Sequence, residues 1–182
     1  MIYLHIGPMY CGKTTWLIQN YIKIRNKTVI DLTQDDEFSE TIAFKPEIDT
    51  RNSNVTEISA HSDSPFVISN ATVVSVLPME VHAKYIFIDE GQFFTNLTEC
   101  CVHYAAQKKE VYVAGLSGNF RRNPWPEISK LIPHADQVII SYSKCVTCFD
   151  NAPFTSRIVE NDTEILVGGK EYYKPTCRTH FK

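Results

Sequence analysis

Six short apolar runs recur along the chain: "YLHI" (3–6), "TVIDL" (28–32), "TVVSVL" (72–77), "YIFID" (85–89), "VYVAGL" (111–116) and "QVIISY" (137–142). Each is rich in β-branched and aliphatic residues and too short for a buried helix, so each reads as a buried strand. Between some of them the period lengthens. "GKTTWLIQNYIKIRN" carries Trp16, Leu17, Tyr21 and Ile24 near helical spacing, and "LTECCVHYAAQKK" carries Leu97, Cys101 and Ala105. Strand, helix, strand alternation predicts an α/β fold, a mostly parallel sheet with right-handed crossovers and flanking helices. Residues 33–66 are polar with no sustained period of either kind, and read as one long loop. Loops of that length in compact domains usually serve function or stay disordered, and the dense cluster "KPEIDTR" favours function. From residue 143 the pattern changes to cysteine pairs, Gly-Gly and a tyrosine pair, which predicts a main domain over 1–142 and a small second lobe over 143–182.

Composition narrows the classes. At 182 residues, 43% hydrophobic and 21% charged, the chain suits one α/β domain with an appendage. No apolar run approaches the roughly 20 residues that cross a bilayer, so no membrane partner is expected. The start "MIYLHIG" lacks a basic region ahead of its apolar one and reads as a core strand, so the expected location is cytoplasmic. A net charge of −3 and a pI near 6.1 argue against a nucleic-acid partner and for a small anionic ligand. Six cysteines without an export signal point to metal binding or core packing more than to disulfides.

The stretch "GPMYCGKTT" gives that anion a place. Gly7, four residues, then Gly12-Lys13-Thr14 follows a predicted strand and opens a predicted helix, the context of a phosphate-cradling loop. Main-chain N–H groups and the helix N-terminus would face phosphate oxygens, Lys13 would reach the β- and γ-phosphates, and Thr14 would ligate Mg²⁺. The bland alternative is a glycine-rich turn. A matching acid stands in "KYIFIDEGQFF". Asp89, at the C-terminal end of a strand where α/β sheets bind ligands, would hold Mg²⁺, and Glu90 would remain as a general base. An acidic pair after a strand can also be a solvated turn, and it is the phosphate loop that tips this one toward chemistry.

"CVTC" at 145–148 and "CRTH" at 177–180 bring Cys145, Cys148, Cys177 and His180 into a Cys₃His pattern with no open position, which is that of structural Zn²⁺. Cys100 and Cys101 read as core residues of a helix. Cys11 lies inside the phosphate loop, and His5, His82, His103 and His134 read as structural or surface groups.

Taken together, "GPMYCGKTT", "KPEIDTR", "IDEGQFF" and "GGKEYYKPTCRTH" resemble the type II thymidine kinases over nearly the whole chain, in parts and in order. The resemblance implies a phosphate-loop NTPase-like fold with a zinc-bound lasso lobe, and transfer of the γ-phosphoryl of ATP to the 5′-hydroxyl of thymidine. It implies Glu90 as general base, with Lys13 and Arg51 also catalytic. The donor and Mg²⁺ would be held by Gly7, Pro8, Met9, Tyr10, Cys11, Gly12, Lys13, Thr14 and Thr15, together with Asp49, Asp89 and Gln92. Thymidine would be held by Met9, Phe93, Leu116, Phe120, Trp125 and Thr155, with Glu164, Leu166, Gly168 and Tyr173 in the lasso segment "TEILVGGKEYY". A homotetramer and thymidine triphosphate (dTTP) as feedback inhibitor follow from the resemblance alone. The sequence departs from the family pattern at Ser117, where an aspartate is usual, at Trp125 in place of phenylalanine, and at His180, where several members have cysteine. The rival readings are a phosphate-loop ATPase, a kinase for another nucleoside, and a nucleotide-binding module without catalysis.

Overall fold

The computed structural model describes residues 1–30, 40–51, 54–60 and 66–181, with the side chains of 27–30 left aside. The main-domain elements run in the order β1 (Ile2–Gly7), α1 (Lys13–Ile30), β2 (Thr41–Pro46), β3 (Ile58–Ser59), β4 (Val67–Ile68), β5 (Thr72–Val74) and β6 (Tyr85–Ile88). They continue with α2 (Leu97–Ala106), β7 (Glu110–Leu116), α3 (Pro126–Leu131) and β8 (Gln137–Ile140). Six strands form one sheet in the order β5-β2-β6-β7-β1-β8, and each of its pairings is parallel. The predicted α/β architecture is present.

Period-two alternation divides the strands between two faces. Ile2, Leu4 and Ile6 of β1, Ile86 and Ile88 of β6, and Val111 and Val113 of β7 join Leu97, Cys100, Cys101 and Tyr104 of α2 and Ile128 and Leu131 of α3 in one buried cluster. The intervening Phe87, Tyr112 and Ala114 face Leu17 and Ile18 of α1 on the other side. There Tyr112 stacks on Tyr3 at 4.7 Å and on Phe87 at 4.9 Å, an aromatic ladder over three adjacent strands. Cys100 and Cys101 are fully buried, as a core role requires.

Two expectations fail in the same region. The run 28–32 is not a strand in its described part: α1 continues to Ile30, and residues 31–32 lie outside the described residues. Once a helix is nucleated, each added residue brings a hydrogen bond, and this outweighs the strand preference of Thr28, Val29 and Ile30. The strand sought there is β2, inside the stretch read as one polar loop. Thr41–Phe44 pair with β6 and Phe44–Pro46 with β5.

After β8 the chain forms a small lobe of β9 (Ser143–Lys144), β10 (Asn151–Ala152), β11 (Phe154–Arg157) and β12 (Tyr173–Thr176), paired antiparallel as β9 with β10 and β11 with β12. Between β11 and β12 the lasso segment has no regular element.

Candidate active site

β1 delivers the chain to the phosphate loop at Gly7, and α1 leaves it at Lys13. The loop needs both its glycines. A Cβ on Gly7 would lie 2.5 Å from the Ser141 carbonyl oxygen, and Gly12 has φ +87°, which favours a residue without a Cβ. The Gly12 carbonyl accepts the N–H of Trp16 at 2.9 Å, so the helix starts from the loop itself. Lys13 is buried and folds back, its Nζ donating to the Pro8 carbonyl at 2.6 Å with Cys11 Sγ at 3.7 Å. Across from the loop, Thr14 Oγ1 donates to Asp89 at 3.2 Å. The residues predicted to hold the divalent cation are therefore adjacent.

The step after β6 separates two neighbouring carboxylates. Glu90 has φ 50° and ψ 44°, a left-handed conformation unusual for a glutamate, and such strain clusters at functional sites. Glu90 Oε1 accepts from Arg51 Nη2 at 2.5 Å, and Oε2 accepts from Gln92 Nε2 at 2.5 Å. Arg51 Nε donates to Asp49 Oδ1 at 2.6 Å, and Lys45 Nζ stands 3.6 Å from Asp49 Oδ2. The result is a line of alternating charge, Lys45, Asp49, Arg51, Glu90, most of it out of water. Burial alone would raise the Glu90 carboxyl, but the charges of Arg51 and Lys13 and the Gln92 hydrogen bond outweigh it and hold it below the usual range. Asp89 goes the other way, pushed up by burial and then by the charge of Glu90. Asp49 is held low against its burial by its hydrogen bond to Arg51 and by the charges of Arg51 and Lys45.

Two cavities meet at this pair. One, with about 520 Å³ of internal space, opens over Tyr10, Gly12, Lys13, Thr14 and Thr15 and is flanked by Lys170 and Lys174. The other, with about 60 Å³ of internal space, is walled by Phe93, Phe120, Trp125, Thr155 and lasso residues 164–168. Met9, Arg51, Glu90, Leu116 and Tyr173 border both. The second has the mostly apolar lining of a small-molecule site. Phe93 and Trp125 meet edge to face at 5.6 Å within its wall, and the Met9 N–H donates to Thr155 Oγ1 at 2.9 Å, joining phosphate loop and small lobe.

Some residues named from sequence stand differently from their fellows. Gly7, Pro8, Cys11, Asp89 and Gln92 border neither cavity; the Gln92 amide is used inside the protein, between Glu90 and the Leu116 N–H at 3.0 Å. Asp49 borders the lasso cavity and not the one over the phosphate loop. Sequence reasoning missed Asn119, which bonds Glu164 at 3.2 Å across the cavity mouth, and Lys45, fully buried behind Asp49. It also missed Arg157, whose guanidinium gathers the lasso. A lone asparagine, lysine or arginine carries no local pattern that would single it out.

In the small lobe, Cys145, Cys148, Cys177 and His180 converge, all their ligand atoms within 4.8 Å of one another. Cys148 Sγ and Cys177 Sγ are 3.7 Å apart, and a tetrahedral site with Zn–S bonds of about 2.3 Å has S···S edges of about 3.8 Å. The donor set and its spacing fit a closed zinc site.

Residues 1–181 match the sequence model of a family described as thymidine kinase. Among similar proteins, the thymidine kinase of Myxoma virus (strain Lausanne) is 35% identical, the match covering 97% of this chain and 93% of that protein. That of Yaba monkey tumor virus (strain VR587) is 32% identical over 99% and 95%, and that of Vaccinia virus (strain Western Reserve) 35% over 97% and 94%.

Proposed function

The chain belongs to the thymidine kinase family, which transfers phosphate to thymidine, and from that premise we propose that its two cavities hold the two substrates, ATP over the phosphate loop and thymidine beneath the lasso. The observation that carries this reading is the shared border: Glu90 and Arg51 belong to both cavities, so a group bound in one faces a group bound in the other across them.

In the proposed reaction the thymidine 5′-oxygen attacks the γ-phosphorus, the O5′–P bond forms, and the bond from that phosphorus to the β,γ-bridging oxygen breaks to release ADP. The 5′-hydroxyl proton passes to Glu90. Both Glu90 oxygens already accept one hydrogen bond, but a carboxylate has about four lone-pair directions, so room remains for the hydroxyl. Its lowered pKa keeps Glu90 ionised at neutral pH and able to accept. Arg51 is placed to turn its charge from Glu90 to the reacting phosphate, which would also return basicity to Glu90. Lys13 exchanges its Pro8 carbonyl for phosphate oxygens, and the main-chain N–H groups of the α1 N-terminus supply the remaining donors. Thr14 and Asp89, an all-oxygen pair suited to a hard cation, would hold Mg²⁺, which when bound neutralises charge on the β- and γ-phosphates. Cys145, Cys148, Cys177 and His180 would hold structural Zn²⁺.

The same reading includes the division into residues 1–142 and 143–182, supported by the end of the sheet at Ile140 and the start of β9 at Ser143. On the resemblance alone it extends to a homotetramer, to inhibition by dTTP and to a cytoplasmic location. No helix among the described residues is long and apolar enough to cross a membrane.

A phosphoryl-transfer assay with ATP, Mg²⁺ and each deoxynucleoside in turn tests the core of it. Thymidine-dependent monophosphate formation is expected, and Glu90→Gln should lower turnover by roughly 10²-fold or more while nucleotide still binds. ATP consumption without nucleoside would favour the ATPase instead, and a fully active variant would remove Glu90 from the mechanism.

A further inference from the structure

Residues 158–165 are all exposed, and among the described residues no main-chain to main-chain hydrogen bond anchors 159–168. Yet 164–168 form one wall of the smaller cavity. Something other than core packing or a β ladder must hold that wall in place. Arg157, the last residue of β11, is where the bonds converge. Its Nη1 donates to the carbonyls of Asn161 at 2.8 Å and Thr163 at 2.5 Å, and its Nη2 to the Glu164 carbonyl at 3.2 Å and to the Tyr173 hydroxyl at 2.8 Å. Tyr173 passes the connection on, its hydroxyl donating to the Leu166 carbonyl at 2.7 Å. The guanidinium carbon lies over the Phe120 ring, 3.6 Å from its centre, and Phe120 lines the same cavity. Arg121 reaches Asp162 from the solvent side, but both groups there are largely in water and screened.

The geometry points to Arg157 as the positioning residue that fixes the lasso over the nucleoside cavity and thereby sets nucleoside affinity, an inference that rests on the assignment of that cavity to thymidine. One planar cation ties three lasso carbonyls to an aromatic ring and to a tyrosine that holds a fourth. Lysine cannot replace it: an ammonium has no planar fork to share among these acceptors and no face to stack. Arg157 touches no reacting atom in this scheme. Its effect is on the free energy of ordering the lasso, which nucleoside binding must otherwise supply.

The test compares wild type with Arg157→Lys and Arg157→Gln by two readouts on the full-length, metal-loaded protein. Amide hydrogen exchange in the absence of nucleoside should accelerate at 159–168 in both variants, roughly tenfold or more, while α1 and β7 keep their protection. KM for thymidine should rise roughly tenfold to a hundredfold with Arg157→Gln and less with Arg157→Lys, with KM for ATP and kcat near wild type. Unchanged exchange at 159–168 overturns the clamp whatever the kinetics. Faster exchange with an unchanged thymidine KM breaks the link to affinity, and the failure then lies in the assignment of the cavity. Equal losses in both KM values and kcat would mark general destabilisation and also overturn the inference.

Discussion

Replacing Cys148 with serine, or stripping the metal with a strong chelator, should release the small lobe while leaving the sheet intact. The reason lies in what the lobe buries. Its apolar cluster consists of Cys145, Ala152 and Cys177 with Cys148 against them, so three of the four residues are metal ligands. Each brings about one carbon beyond Cα, and at ~0.8 kcal/mol per buried CH₂ the four supply ~3 kcal/mol. A structural zinc contributes on the order of 10 kcal/mol or more. Buried Tyr173 adds about 3 kcal/mol at most, so a bound zinc would still outweigh the lobe's apolar burial. The geometry is ready for it: besides the 3.7 Å S···S edge, His180 Nδ1 lies 3.2 Å from Cys177 Sγ and 3.8 Å from Cys145 Sγ, on either side of the ~3.5 Å edge expected between sulfur and nitrogen ligands. Cys148 and Cys177 bracket β10, β11, the lasso and β12, and with them Thr155, 164–168 and Tyr173 of the smaller cavity.

The assay is metal analysis combined with segment-resolved hydrogen exchange and nucleoside binding. One zinc per chain is expected in the protein as isolated. After chelation, residues 149–176 should exchange much faster and thymidine affinity should fall by more than tenfold, while the two sheet clusters stay protected. Full protection of 149–176 in a metal-free chain that still binds thymidine would refute the reasoning, because it would mean that packing alone suffices.

Two further perturbations act elsewhere. Lys13→Met should reduce kcat/KM for ATP by roughly 10²-fold and leave thymidine affinity nearly unchanged, since Nζ touches only the phosphate loop, and calorimetric titration of each substrate separately reads the difference. His5 predicts a pH dependence of stability. Burial, then the charge of Lys13, lowers its pKa to about 4 from an ordinary 6.5, so as pH falls through this window the unfolded chain takes up a proton before the folded one and stability is lost. The melting temperature of wild type should therefore fall more steeply between pH 6.5 and 4 than that of His5→Gln, and parallel curves would dismiss the assignment.

Much of the site could be read from the sequence because its chemistry is local. The phosphate loop, Asp89-Glu90 and the cysteine pairs are contiguous motifs whose residues act within a few positions of one another. Strands β1, β6 and β7 were legible for a similar reason: they are buried on both faces and read as unbroken apolar runs. β2 was not. It carries Lys45 in the interior, satisfied by the Glu57 carbonyl at 3.1 Å and by Asp49, and ends in Pro46, so a buried strand has the composition of a loop. Its partners come from sequence neighbours that only the fold brings near. Arg157 was hidden likewise: three of its four acceptors are main-chain carbonyls, which exist at every position and leave no trace in residue identity.

The tyrosine at 173 shows how these separate pieces form one device. It starts β12, four residues before Cys177 of the metal cluster; its ring borders both cavities; and its hydroxyl stands between Arg157 and the Leu166 carbonyl. A displacement of β12 therefore moves the wall common to the two cavities and the lasso together. The same border includes Arg51 and Glu90, held by Asp49, just past the end of β2, and by Gln92, just past the end of β6. One part of the junction is thus set by the six-stranded core, and the other by a lobe that carries the Cys₃His cluster. Since near-attack geometry tolerates errors well under 1 Å, the lobe's order must be as firm as that of the sheet. That requirement gives a reason for a Cys₃His ligand set in a lobe to which no catalytic group is assigned.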